Sequence, residues 1–193
     1  MRFAPLFAAA AIIAIAAPVA ALAQTVIPTD RFTAIDLHGG GTISIRQGPV
    51  QRVTLIEGDA KRARFEVVDR EHGGRLVMSP CDGTCWGLHR FEVEIETPVL
   101  NGIAIHGGGH ITAHGAFPAQ TAVSAEIHGG GDIDMKDVPA QSASAAIHGG
   151  GKIYVTAQNS LSAEIMGGGV IRYAGHPAVS SSIHGGGAVS QIR

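Results

Sequence analysis

Five histidines and one methionine occupy a single recurring place in this chain: His38, His106, His128, His148, Met166 and His184 each stand directly before a run of three glycines. Imidazole is a good ligand for zinc, with Zn–N distances near ~2.1 Å, so two nitrogens that share one ion lie at most about 4.2 Å apart. If the blocks stack as successive turns of a β-solenoid, equivalent side chains recur every ~4.8 Å. Neighbouring rings must then lean together to close on a metal. His106, His128, His148 and His184 are the candidate ligands of such a row, which His38 extends if its block joins the same column. The other use of the row is a stack of surface or corner histidines.

Other chemistry finds less support in the residues. Ser124 and His128 lie four positions apart, about 13 Å along a strand, too far for a nucleophile and its base within one turn. There is no Gly-x-Ser-x-Gly elbow and no His-Glu-x-x-His pair. The stretch from Gly130 to Asp134 is faintly like a calcium-binding nonapeptide, but Asp132 is replaced by Lys152, Val170 and Ala188 in later repeats. Glu126, Asp132, Asp134 and Glu164 could serve a carbohydrate-active enzyme, a lyase or glycosidase, and Trp86, Tyr154 and Tyr173 could stack on sugars. No residue is assigned a catalytic role, and no motif calls for a cofactor.

The elements that must position these groups follow from the repeat. The last five blocks begin at positions 106, 128, 148, 166 and 184, spacings of 22, 20, 18 and 18 residues, within the range of stacked solenoid repeats. Ahead of each block the pattern alternates: Val123, Ala125 and Ile127 face one way, while Ser124, Glu126 and His128 face the other. A lone unit cannot bury its Ile/Val/Ala face, whereas coaxial stacking gives parallel ladders around one core. The expected fold is all-β, a right-handed parallel β-helix with a glycine-rich repeat in each turn. The glycines then form one column: Gly107, Gly108, Gly109; Gly129, Gly130, Gly131; Gly149, Gly150, Gly151; Gly167, Gly168, Gly169; and Gly185, Gly186, Gly187. Since every copy keeps these positions small, valine at Gly130 is expected to destabilise the fold.

The rest of the chain sets the context. Residues 1–23, with Arg2, an apolar run and Ala21-Leu22-Ala23, read as a secretory signal peptide cleaved between Ala23 and Gln24. Residues 24–193 then form a single domain, most regular over 101–193, with no stable membrane span. Between Phe32 and Val99 alternating strands recur less clearly, and the stretch from His38 to His106 has room for about three further turns. The two cysteines, Cys81 and Cys85, suit a small disulfide-closed turn in an oxidising compartment. The formal net charge is −2, one unit more negative once Arg2 is lost with the leader, which gives nucleic acid no basis for binding.

These residues together resemble the GIN-domain family, described as a putative autotransporter adhesin head. The matching parts are Arg31–Leu37, Gln47-Gly48, Gly58-Asp59, Thr97–Leu100 and Tyr173–Pro177, beside the glycine blocks themselves. Where the family carries Ser-Gly-Ala-Gly, this chain has His-Gly-Gly-Gly, a histidine row in place of a hydroxyl row. The resemblance implies an exported, non-catalytic β-helix domain that works as an adhesin-like or envelope-binding module, in the periplasm or on the outer surface of a bacterium. Its partner would be an envelope or cell-surface polysaccharide or protein. A carbohydrate-active enzyme and a periplasmic metal binder using the histidine row are the alternatives.

Overall fold

The structure, a computed structural model, describes residues 24–83 and 90–192. The leader read over 1–23, Cys85 and Trp86 lie outside the described residues. Among those described, no helix is long and apolar enough to cross a membrane.

Among the described residues, fifteen strands form one continuous sheet. They are β1 (Thr25–Ile27), β2 (Ala34–Gly39), β3 (Thr42–Gln47), β4 (Arg52–Glu57), β5 (Arg64–Val68), β6 (Arg75–Ser79), β7 (Glu92–Thr97), β8 (Gly102–Gly107), β9 (His110–His114), β10 (Gln120–Gly129), β11 (Asp132–Gly149), β12 (Lys152–Gly167), β13 (Val170–Ala174), β14 (Ala178–Gly185) and β15 (Ala188–Gln191). The sheet winds into a β-solenoid. β8, β10, β11, β12 and β14 pair in parallel, each on the next, with Ile105, Ile127, Ile147, Ile165 and Ile183 in register. Across the glycine corner a second parallel ladder aligns Ile111, Ile133, Ile153, Ile171 and Val189. β11 and β12 run unbroken from one glycine block to the next, and the register slips near Pro139, where a missing N–H is tolerated at an irregularity.

The two-residue period decides what is inside. Val123, Ala125, Ile127, Ile133 and Met135 are all at most 3% exposed, and the same holds for Ile147, Ile153, Leu161 and Ile165. Full burial of one such Ile or Leu contributes about 1.5–3 kcal/mol, and the ladder repeats it turn after turn.

The N-terminal part departs from the expected three further turns. The strands β2 and β3 stack directly on β8 and β9, and β6 and β7 stack on their other side. The chain therefore adds one turn outside the first glycine block and returns over it to β8. Beyond that turn the direction reverses: β4 is antiparallel to β7, β1 to β4, and β5 to β6. These strands close the core with Val53, Leu55 and Val67, and Phe91, just ahead of β7, is buried with them. The opposite end is open. Val179 and Ile183 point along the same apolar column but are 40% and 41% exposed, because no further described strand covers them.

Candidate functional site

All six glycine blocks fall in one column, and the corner geometry explains why two of each three positions are glycine. The first glycine adopts positive φ in every block: Gly39, Gly107, Gly129, Gly149, Gly167 and Gly185 lie between +93° and +131°. A Cβ on Gly149 would stand 2.3 Å from the carbonyl oxygen of Gly129, and one on Gly167 would stand 2.2 Å from that of Gly149. Those same oxygens are committed to the stack: Gly129 accepts the N–H of Gly150 at 2.9 Å, and Gly149 that of Gly168 at 2.9 Å. The third glycine is crowded as well, Gly151 by the Gly131 carbonyl at 2.5 Å and Gly169 by Ile147 at 2.6 Å.

The middle glycine is different. At Gly150, Gly168 and Gly186 nothing lies within 4 Å of an added Cβ, and at Gly108 and Gly130 the nearest atom is a carbonyl at 3.7 and 3.5 Å. The expectation that Gly130 is a crowded position is corrected on this point. From the second block on, the third and first glycines carry the steric requirement and the middle one is uncrowded, whereas in the first block a Cβ on Gly40 would stand 3.1 Å from the Gly108 carbonyl.

This column floors a shallow trough of 930 Å³ that crosses several turns, from Gly41 through Gly109, Gly131 and Gly151 to Gly168. Its flank is the row that follows the triplets, with Thr42, His110, Asp132 and Lys152 in register. His110 Nδ1 lies 3.3 Å from Asp132 Oδ2. Glu57, Arg90 and Glu92 line the N-terminal end. The trough is thus peptide-floored and of mixed charge.

On the other side of the triplets runs the histidine row. The rings of His106 and His128 are 4.9 Å apart and nearly parallel, at 4°, and those of His128 and His148 are 4.7 Å apart at 16°. His184 follows only after Met166. The row also includes His38, which sits next to His106 with ring centroids 4.7 Å apart. The sequence reading missed the carboxylate beside it. Asp36 Oδ1 lies 3.3 Å from Nε2 of His38 and of His106. The signal for it was present, since Asp36 precedes His38 as Glu126 precedes His128, by two positions on the same face.

Three of the four carboxylates considered for an enzyme face basic neighbours. Glu126 Oε1 lies 2.5 Å from His128 Nε2, Asp132 faces His110, and Asp134 pairs with Lys136 at 2.8 Å. Glu164 shares the outward face with Glu126 two turns away. Cys81 is buried and disulfide-bonded.

Residues 119–177 match a family model described as "Putative auto-transporter adhesin, head GIN domain". Among solved structures, the chain is similar to a putative adhesin from Bacteroides fragilis NCTC 9343, at 19% identity and TM-score 0.54, over 88% of this chain and 96% of that one. It also aligns with a putative cell adhesion protein from Clostridium sporogenes ATCC 15579, at 11% identity and TM-score 0.46, over 87% and 97% of the two chains. A putative adhesin from Parabacteroides merdae ATCC 43184 aligns at 16% identity and TM-score 0.39, over 91% and 98%. A search of curated proteins finds no match. The Bacteroides protein shares the fold. The likeness first read from the glycine blocks is thus met by the family's own model, which matches residues 119–177 of this chain.

Proposed function

We propose that this protein is an exported, non-catalytic adhesin-type head that lays its glycine-floored trough along an extended, hydroxyl-rich polymer at the bacterial envelope. The observation that carries this reading is the trough itself. Stacked corners keep side chains out of it, so the backbone is open over a length on the order of 20 Å across the turns. Its polar groups alternate in sign, with Asp132 beside His110 and Lys152 one turn on. That pattern suits hydrogen bonding to a neutral glycan better than attraction to a polyanion. The adhesin-head family match and the read secretory leader support an envelope or outer-surface location.

The test is retention of the purified protein on a panel of envelope polysaccharides. Asp132→Ala and Lys152→Ala should each weaken binding, while Ser144→Ala on another face should not. Retention that survives both trough substitutions, or no retention on any glycan, would refute this reading.

A further inference from the structure

Two positions before the histidine row, on the same outward face, runs a second row in register: Asp36, Ala104, Glu126, Ala146, Glu164 and Ser182. An acidic side chain therefore recurs on alternate turns near the first block and again at 126 and 164. Next to Asp36 the equivalent residue is Ala104, whose short side chain leaves space for the carboxylate to face His106 on the neighbouring turn as well as His38 on its own. Asp36 is 7% exposed. Its Oδ1 is buried and accepts no hydrogen bond, a state shared among the described residues only with Nδ1 of His148. Arg75 Nη1 forms a long ion pair with the other oxygen, Oδ2, at 3.8 Å. This buried carboxylate is held only at ion-pair distances, 3.3 Å from two imidazoles and 3.8 Å from one guanidinium, and a bound cation would hold it more closely.

The geometry around that oxygen has the dimensions of a metal site. Ligand atoms held 2.0–2.1 Å from a tetrahedral zinc ion are about 3.3 Å from one another. Oδ1 of Asp36 stands 3.3 Å from Nε2 of both His38 and His106. The ring tilt agrees: His38 and His106 are inclined by 39°, whereas the two pairs further along are nearly parallel. The stack opens where the rings bracket Asp36. His38 is half exposed, and a groove of 630 Å³ lined by Asp36, His38, Arg64, Glu66, Arg75 and Asp82 adjoins it. An ion has both an entry path and room for a further ligand.

We propose that Asp36, His38 and His106 form a three-ligand site for a divalent first-row transition metal, with its fourth position open to water or an external ligand. Two imidazoles and one carboxylate suit zinc, nickel or copper rather than calcium or magnesium. The cluster of Glu126, His128 and His148 is the internal comparison. It brings the same ligand types together, but its own Glu126–His128 contact at 2.5 Å already closes it. The site lies apart from the trough, so capture of a metal here does not depend on what the trough binds.

The experiment is calorimetric titration of the metal-free, purified protein with Zn²⁺, with Co²⁺ absorption as a second readout of tetrahedral ligation. One saturable zinc ion per chain is expected at this site. Asp36→Asn, His38→Ala and His106→Ala should each weaken it at least about tenfold, and His128→Ala should leave it unchanged. Asp36 is buried, so circular dichroism first checks that its variant folds. If it does not, the exposed His38→Ala decides the matter. Absence of saturable zinc binding, binding that His38→Ala leaves intact, or equal loss in His128→Ala overturns the proposal.

Discussion

His38 and His106 stand ring to ring on adjacent turns, centroids 4.7 Å apart, although the chain between them builds β3 to β7 at the N-terminal end of the solenoid. Their contact fixes the first glycine block as a member of the same column as the other five. It also means that β2 cannot reach its final partners until β6 and β8 have both formed, one on each side of it. Parallel pairing over such a separation is entropically demanding. The antiparallel strands β4 and β5 sit at the end of the stack, where all three antiparallel pairings are made.

The glycine corner gives a sharp mutational contrast. Alanine at Gly149 would hold a positive φ of 129° and force a Cβ against the Gly129 carbonyl at 2.3 Å. The backbone term alone costs about 1–2 kcal/mol, and the contact adds to it. At Gly150 nothing obstructs a Cβ, so alanine there should shift stability by less than about 0.5 kcal/mol. Thermal melts of the two single variants check this. Equal destabilisation would mean that the corner tolerates no side chain anywhere and that the carbonyl stack is not the cause.

Much of this was legible in the residues because a solenoid repeats its own constraints. Ile105, Ile127, Ile147 and Ile165 announce their ladder by alternation and by equal offset from the glycines, and the structure aligns them in register. The N-terminal stretch was harder for a physical reason. Alternation at Arg52–Glu57 or Arg64–Val68 shows that a strand has one buried face but not whether its neighbour runs parallel or antiparallel. Three added turns and one turn with an antiparallel cap therefore look alike in sequence. The glycine triplet hid a different distinction, since the steric need at Gly129 and its absence at Gly130 depend on where a carbonyl of the previous turn points. Asp36 was overlooked because its partner His106 lies far along the chain, and only the stacking of β2 on β8 brings them together.

Cys81 should yield no free thiol. It is buried and disulfide-bonded, and Cys85 is the only other cysteine in the chain. Labelling of the freshly purified protein with a thiol reagent under denaturing conditions should give no adduct until a reductant is added. Two labelled thiols per chain before reduction would contradict the disulfide at Cys81.

Lys136 gives a prediction on the alkaline side. Its ammonium is raised above the ordinary lysine range, first by the hydrogen bond to Asp134 and then by the charge of that carboxylate, and it lies 5.4 Å from the Tyr154 ring. A raised folded value means that the contribution is complete below the unfolded pKa of ~10.4 and is lost as pH climbs through the folded value. The side chain is 46% exposed, so solvent screens the pair and its worth at neutral pH is about 0–1 kcal/mol. Lys136→Met should therefore melt within a few degrees of the parent at pH 7 and show a shallower loss of stability above about pH 10. A variant with an unchanged alkaline slope would remove this pair from the account.

The open C-terminal end allows a test of how far the core energy depends on the next turn. Ile147 and Ile183 occupy equivalent places in one ladder, yet Ile147 is fully buried and Ile183 is 41% exposed. Truncating Ile147 to alanine leaves a cavity between two packed turns, with an expected cost of about 2–5 kcal/mol. The same change at Ile183 removes methyl groups that already meet solvent on one side, so the cost should stay below about 1.5 kcal/mol by loss of buried area. Chemical denaturation of both variants at low protein concentration measures the difference. If Ile183→Ala proves as costly as Ile147→Ala, and the cost grows as the protein is concentrated, the exposed end is covered in solution by a second chain, and the burial seen in a single chain understates what holds the last turn in place.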